Sequence, residues 1–129
     1  MSAFAALALA LSGCAFGGGS SMPPQGGFDV PRALTDVYAS EIAGLKACKV
    51  GPVSNFFDLA IDPTFDSAHG TARIAITGTG MFNPHVWATI DLAASGPRMT
   101  HVRVFAERHD GLETLRRDAE RWGNAAGGC

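Results

Sequence analysis

The histidines are the side chains whose type and spacing come closest to metal chemistry. Pairing of two strands around Pro97 would place His85 near His109, and His101 lies further along the second of these strands. Protein metal sites usually use three or four ligands, and no carboxylate or cysteine is held beside these histidines by its spacing. We therefore expect no metal and no cofactor; His85, His101 and His109 are the candidates that a metal site would use.

Motifs for nucleophilic or phosphate chemistry do not accompany the histidines. The sequence lacks the Gly-x-Ser-x-Gly motif and any arrangement that pairs a free cysteine with a histidine. The Gly-Thr-Gly fragment at 78–80 is not followed by the lysine of a phosphate-binding loop. Asp58, Asp62 and Asp66 are four residues apart, but no calcium-loop pattern surrounds them. The sequence therefore predicts a protein that is not an enzyme.

The residues around Cys14 indicate a different chemistry, which is lipid attachment. An apolar run at 3–11 leads into Ser-Gly-Cys, ending at Cys14, and a segment rich in Gly, Ser and Pro follows at 17–27. This order resembles the lipobox of bacterial lipoproteins. The resemblance implies that a signal peptide, residues 1–13, is removed and that Cys14 then carries the lipid, palmitate included.

The apolar run at 3–11 leaves two questions open about a signal peptide: where its positive charge comes from, and whether the run is instead a buried helix. No Lys or Arg precedes the apolar run, so either the natural leader starts upstream of Met1 or the Met1 amine supplies the positive charge. The run is too short to span a bilayer, and a buried N-terminal helix is the alternative to a signal peptide.

Ala15 is not the Asp that retains enterobacterial lipoproteins in the inner membrane. The resemblance thus implies the outer membrane, with the protein facing the periplasm.

The lipobox resemblance also accounts for the odd number of cysteines. The chain has three, and an odd count normally indicates a free thiol or an intermolecular bond. If Cys14 takes the lipid, Cys48 and Cys129 are left as a disulfide pair for an oxidising envelope compartment. The alternative is two unpaired thiols.

The charges divide the chain into a linker and a domain. Residues 14–27 are uncharged and are predicted to be the lipidated cysteine and a flexible linker. Residues 28–129 carry all 10 basic and 12 acidic residues, for a net charge of −2, and are enough for one domain with its own core. This balance gives no general attraction to nucleic acid, so the expected contact with a membrane is the lipid on Cys14.

Hydrophobic periodicity in the domain predicts the α+β class with the element order α-β-β-β-β-α. Apolar stripes at 34–48 and 112–122 indicate two helices. Asp29 is predicted to cap the first, with Pro31 in its first turn, and Asp110 is predicted to begin the second. Short connections favour a four-stranded antiparallel meander with the N- and C-terminal helices packed on one face. Alternating strands are predicted at 53–61, 71–77, 85–93 and 99–107.

The same alternation predicts a surface for a partner. Pairing around Pro97 would set Asp91 opposite Arg103 as a cross-strand ion pair. Phe56, Trp87 and Phe105 would lie near Arg103 on the face that the helices leave open. Exposed apolar patches tend to be binding surfaces; the alternatives are covering by the long loops and simple cross-strand packing.

Three classes of function are compatible with these features. The first is a membrane-anchored, periplasm-facing lipoprotein whose domain is a non-enzymatic binding or structural module of the cell envelope, with an envelope protein as its partner. The second is a small-molecule or metal-binding periplasmic module that uses His85, His101 and His109. The third is an envelope enzyme whose site is assembled without a motif. In element order the domain also resembles small envelope lipoproteins of uncharacterised function.

Overall fold

A computed structural model describes residues 25–54, 57–80 and 85–129 of the chain. Cys14 and the rest of the lipobox lie outside the described residues. Neither of the two described helices has the length and apolar character needed to cross a membrane.

The described residues form one antiparallel sheet and two helices. The strand order across the sheet is β1-β6-β5-β4-β3-β2, and each neighbouring pair is antiparallel. The elements are β1 (Gln25–Val30), α1 (Leu34–Cys48), β2 (Gly51–Ser54), β3 (Phe57–Asp66), β4 (Thr71–Gly80), β5 (His85–Gly96), β6 (Met99–Ala106) and α2 (His109–Gly123).

The α+β class, the antiparallel sheet and the two helices agree with the sequence prediction, but the prediction of four strands is wrong. The structure has six described strands. β2 and β3 pair antiparallel, so the chain reverses direction inside the single strand that was predicted at 53–61. β1 pairs with β6 along its whole length, so residues 25–27, which were predicted to belong to the linker, are part of a strand.

The sequence did not indicate β1, because its Gly-rich composition is typical of a linker. Backbone hydrogen bonds to β6 hold the strand, and they require no particular side chain. Gly26 faces the second helix: a Cβ there would come within 2.5 Å of the Arg116 Cδ atom on α2, so a larger residue would require that side chain to move. The Gly-rich composition therefore fits an edge strand that lies close beneath a helix.

The start of α1 also differs from the prediction. The residue before the helix is Ala33, and no side chain caps the helix. Asp29 cannot reach that position, because it belongs to β1 and faces His101 across the strand pair. The predicted Asp29 cap is therefore wrong.

Both helices pack against the same face of the sheet. They contact each other, and between them they contact all the described strands from β3 to β6 as well as β1. The helices contribute the buried apolar residues Leu34, Val37, Leu45, Leu115, Ala119 and Trp122. The three central strands contribute Ala72, Ile74, Ile76, Ala88, Ile90, Leu92, Val102, Val104 and Ala106.

Gly44 of α1 lies directly against Trp122 of α2. A Cβ atom at Gly44 would overlap the Trp122 indole ring, which is itself only 3% exposed. The missing side chain thus creates the space that a large aromatic fills.

A disulfide between Cys48 and Cys129 joins the end of α1 to the C-terminus, across a sequence separation of 81 residues. This is the pairing expected from the sequence. The segment that leads to Cys129 is held as well, because the Trp122 Nε1–H and the Arg121 guanidinium both donate to the Gly128 carbonyl oxygen at 3.2 Å.

Candidate functional site

The candidate site is the face of the sheet opposite the helices, called the open face below. Residues that alternate with the buried positions of β4, β5 and β6 lie on it. The strand register arranges them in rows across the sheet. The rows are Thr71–Ala93–His101–Asp29, Arg73–Asp91–Arg103–Gly27 and Ala75–Thr89–Phe105–Gln25.

The predicted register of β5 and β6 is confirmed. Asp91 lies opposite Arg103, and Thr89 lies opposite Phe105. At the next position the Glu107 N–H donates to the Trp87 carbonyl oxygen at 3.0 Å. The tight connection at Pro97 and the clean alternation of both strands made this register predictable.

The predicted ion pair between Asp91 and Arg103 is wrong, because Arg73 binds Asp91 instead. The Arg73 Nε–H donates to Asp91 Oδ1 at 2.8 Å, and Nη2 donates to Oδ2 at 2.9 Å. This two-point geometry suits a guanidinium and a carboxylate, and the hydrogen bond raises the pKa of Arg73 above its ordinary value. Asp91 has an arginine on each neighbouring strand, and only the three-dimensional geometry selects between them.

Arg103 is consequently an exposed cation that makes no ion pair with Asp91, the carboxylate opposite it. Asp91, its partner in register, is engaged by Arg73, and Gly27 on the other side has no side chain. Within the described ranges no carboxylate forms an ion pair with Arg103. Its guanidinium therefore keeps its donors available to a molecule from outside.

A depression with a volume of about 670 Å³ lies over the centre of the open face. Arg73, Asp91, Arg103 and His101 are among the residues that line it. Ala93 lies between Thr71 and His101 in its row and contributes only a methyl group, which leaves room between longer neighbours. The lining is mixed: Thr64, Asp66 and Thr71 add polar groups, and Phe65, Ala72 and Leu92 add apolar ones.

The three predicted metal candidates are not brought together. The His85 Nε2 atom lies 2.8 Å from a Glu107 carboxylate oxygen, and the His101 Nδ1 atom lies 2.8 Å from one of Asp29. His109 is the first residue of α2. In the part of the chain that the structure describes, no group of three His, Cys, Asp or Glu side chains is placed to hold a metal ion.

The structure describes three of the four residues that were predicted for a partner surface. Phe56 lies outside the described residues. Trp87 is 37% exposed, and its ring meets the His85 ring edge-on at a centroid distance of 4.8 Å. Phe105 is half-buried and lies two residues from the exposed Arg103 on the same face of β6. Arg103 and Phe105 thus share one face of β6, and Trp87 lies near the start of the neighbouring β5.

Glu41 is a chemically unusual residue that the sequence analysis missed. It is fully buried on α1, and neither carboxyl oxygen has a hydrogen-bond partner within the described residues. Burial raises the pKa of Glu41 to about 9, so the side chain is uncharged at neutral pH. The sequence did contain an indication that Glu41 is buried, because Val37, Glu41 and Leu45 are four residues apart and therefore share one helix face.

Comparison with known proteins adds one distant structural similarity. No protein-family model and no curated protein matches the chain. The crystal structure of a conserved protein from Geobacillus kaustophilus is similar, with a TM-score of 0.44 and 11% sequence identity, over 78% of this chain and 91% of that chain. Function is therefore inferred from the open face itself.

Proposed function

We propose that this protein is a non-enzymatic binding module of the bacterial cell envelope. It is anchored in the outer membrane by a lipid on Cys14, faces the periplasm and holds an envelope protein on the open face of its sheet. The observation that carries this proposal is the accessibility of Trp87, Phe105 and Arg103 on the face that both helices leave uncovered. Tryptophan and arginine are enriched among the residues that contribute most to protein interfaces.

The same site gives less support to an enzyme. A His–Asp pair, His101 with Asp29, borders the depression and has the form of a catalytic base with its orienting carboxylate. No serine or cysteine that such a pair could activate as a nucleophile lines the depression among the described residues. Two further charged groups of the depression, Arg73 and Asp91, are engaged with each other.

A second candidate function is the binding of a small molecule in the depression. Its volume of about 670 Å³ falls within the range of small-molecule sites. It is lined by guanidinium, carboxylate and hydroxyl groups together with the apolar Phe65, Ala72, Leu92 and Ala93, so a ligand with both polar and apolar parts fits it. We rank this candidate second because it leaves the exposed Trp87 without a role.

Cys14→Ser tests the anchor. The variant is expected to leave the membrane fraction and appear in the soluble periplasmic fraction, since the described fold begins at Gln25 and does not include Cys14. Cell fractionation and metabolic labelling with an alkyne fatty acid measure both effects. An unlabelled wild type, or a variant that remains in the membrane fraction, would contradict the anchor.

The partner surface is tested by photo-cross-linking in intact cells. A photoreactive amino acid at Thr89, on the open face, is expected to give a discrete adduct with an envelope protein, and Trp87→Ala in the same chain should reduce its yield severalfold. Val50, which is 40% exposed after α1, is the matched position for a control cross-linker, and Val50→Ala is the matched control substitution. Equal adducts from positions 89 and 50, or no change with Trp87→Ala, would count against the open face.

A further inference from the structure

The two strands that flank β6 begin at the same end of the sheet. β1 starts at Gln25, which pairs with Phe105, and Phe105 pairs on its other side with Thr89 of β5. Trp87 lies two residues from Thr89, toward the start of β5. The chain that leads from Cys14 therefore enters the sheet at the end that carries Trp87, called the tether end below.

The length of chain between Cys14 and Gln25 keeps the tether end close to a membrane. From residue 14 to residue 25 there are 11 steps along the chain, and these span about 40 Å at full extension. Gln25 and Trp87 lie two strands apart, about 12 Å from each other. A lipid on Cys14 thus holds Trp87 within reach of the bilayer, whereas the opposite end of β5, at Gly96, lies about 30 Å further along the strand.

The start of β5 is exposed on both of its sides. Val86 and Trp87 are successive residues, and their exposed fractions are 38% and 37%. Further along the strand every second residue is buried under the helices, as Ala88, Ile90 and Leu92 are. Because successive side chains of a strand point to opposite sides, the start of β5 extends beyond the layer of helices. It carries a valine and a tryptophan at its surface.

The groups at the tether end suit the headgroup region of a bilayer. Tryptophan is enriched at the boundary between lipid and water, because its ring packs against lipid while its N–H stays hydrated. The Glu107 carboxylate lies 2.8 Å from the His85 Nε2 atom, so it does not meet the headgroups as an isolated charge. The net charge of the chain, −2, gives no attraction to anionic lipid. The contact therefore depends on the exposed Trp87 and Val86.

From this arrangement we infer that the tether end rests on the bilayer that holds Cys14, with Trp87 and Val86 in the headgroup region. The sheet stands on the membrane by this end, and Trp87 lies where the open face meets the bilayer. A partner held on the open face is then bound at the membrane surface. This inference rests on the lipid anchor of the proposed function and adds a second, direct contact with the same bilayer.

The test uses the lipidated protein in vesicles of phosphatidylcholine, part of which carries a nitroxide near the headgroup. A nitroxide quenches tryptophan fluorescence only at short range. The wild type is expected to be quenched severalfold more than Trp87→Phe, because Trp122, the other tryptophan of the chain, is 3% exposed. Trp87→Phe combined with Met99→Trp moves a tryptophan to a position that is 37% exposed at the opposite end of the sheet, and it should remain unquenched.

A matched pair of charge substitutions tests the contact without moving a tryptophan. Val86→Asp is expected to lower the quenching of Trp87 severalfold, because a carboxylate would have to give up water to enter the headgroup region. Met99→Asp, at a position of nearly equal exposure on the opposite end, should leave the quenching unchanged. Equal quenching of tryptophans at the two ends, or equal effects of the two aspartates, would overturn the inference.

The inference and the proposed function can fail separately. An adduct in cells that depends on Trp87, with no quenching of Trp87 in vesicles, would preserve the proposed function and overturn the membrane contact, because Trp87 would then serve the envelope protein alone. Quenching of Trp87 without any adduct would support the membrane contact and contradict the partner surface. A wild type that carries no lipid on Cys14 would contradict both.

Discussion

The wild-type protein is expected to lose stability as the pH rises from 4.5 to about 9, and Glu41→Gln is expected to abolish most of this loss. In the folded protein the buried carboxyl keeps its proton up to a pKa of about 9, whereas in the unfolded chain it titrates near 4.5. Between these values the unfolded chain releases a proton that the folded protein holds. Rising pH therefore favours unfolding, by up to about 1.4 kcal/mol per pH unit.

The sign of this effect follows from a pKa that folding raises. The stability that depends on protonated Glu41 is fully present below pH 4.5 and is lost progressively up to about pH 9. At pH 8 the loss relative to pH 4.5 is at most about 5 kcal/mol. Glutamine has nearly the same shape and no charge at any pH, so it removes this slope although its buried amide has a constant cost of its own.

The structure explains why no cation offsets the burial of Glu41. Arg32 is close in the fold, but its guanidinium donates to the Gly123 carbonyl oxygen at 2.6 Å and to the Ser40 hydroxyl at 3.0 Å. The Glu41 Oε1 atom instead faces Gly123, where a Cβ would lie 2.9 Å away, with Val30 and Val37 close by. A charged carboxylate in these surroundings would lose its water without gaining a partner.

Urea unfolding at several pH values between 5 and 8 measures the effect. Glu120→Gln, which changes an exposed carboxyl on α2, is the matched control and should keep the wild-type slope. Glu41→Leu should give the flat profile of Glu41→Gln, with a higher stability at pH 8 because it leaves no buried polar group. Parallel pH profiles for wild type and Glu41→Gln would mean that Glu41 is ionised or hydrated in the folded protein.

Features that depend on local alternation were predictable from the sequence. The strands at 85–93 and 99–107 alternate cleanly around Pro97, so their register, Asp91 against Arg103, followed from the pattern alone. The same alternation indicated which side of these strands carries Arg103 and Phe105. The helices at both ends of the domain were predictable for the same reason, since each carries one apolar stripe.

Features that depend on which elements become neighbours were not predictable. β1 is held by backbone hydrogen bonds to β6, the last strand, and its glycines carry no hydrophobic pattern. Asp91 has two candidate cations, and the choice of Arg73 depends on side-chain geometry across β4 and β5. Glu41 and Gly44 acquire their roles only because α1 packs against α2, which no local pattern specifies.

Loss of the Cys48–Cys129 disulfide is expected to lower the free energy of unfolding by about 4 kcal/mol, because the cross-link closes a loop of 81 residues in the unfolded chain. That loop contains every described element after α1, so the cross-link restricts most of the unfolded domain. Loss of the disulfide is expected to affect the free energy of the folded state less than that of the unfolded chain. The Gly128 carbonyl oxygen still accepts hydrogen bonds from Trp122 and Arg121, and the core contacts of α2 do not involve the sulfur atoms.

The measurement compares urea unfolding with and without reductant in a Cys14→Ser background, so that no third thiol can exchange. The further double variant Cys48→Ser, Cys129→Ser should unfold at the same urea concentration in both conditions and match the reduced parent. Because the cross-link acts mainly on the unfolded chain, the folded variants should keep the far-UV circular dichroism of the oxidised parent. Equal unfolding midpoints for oxidised and reduced parent would show that the disulfide does not stabilise the fold. Loss of the folded signal in native buffer would mean instead that the C-terminal segment depends on the disulfide to keep Trp122 packed against Gly44.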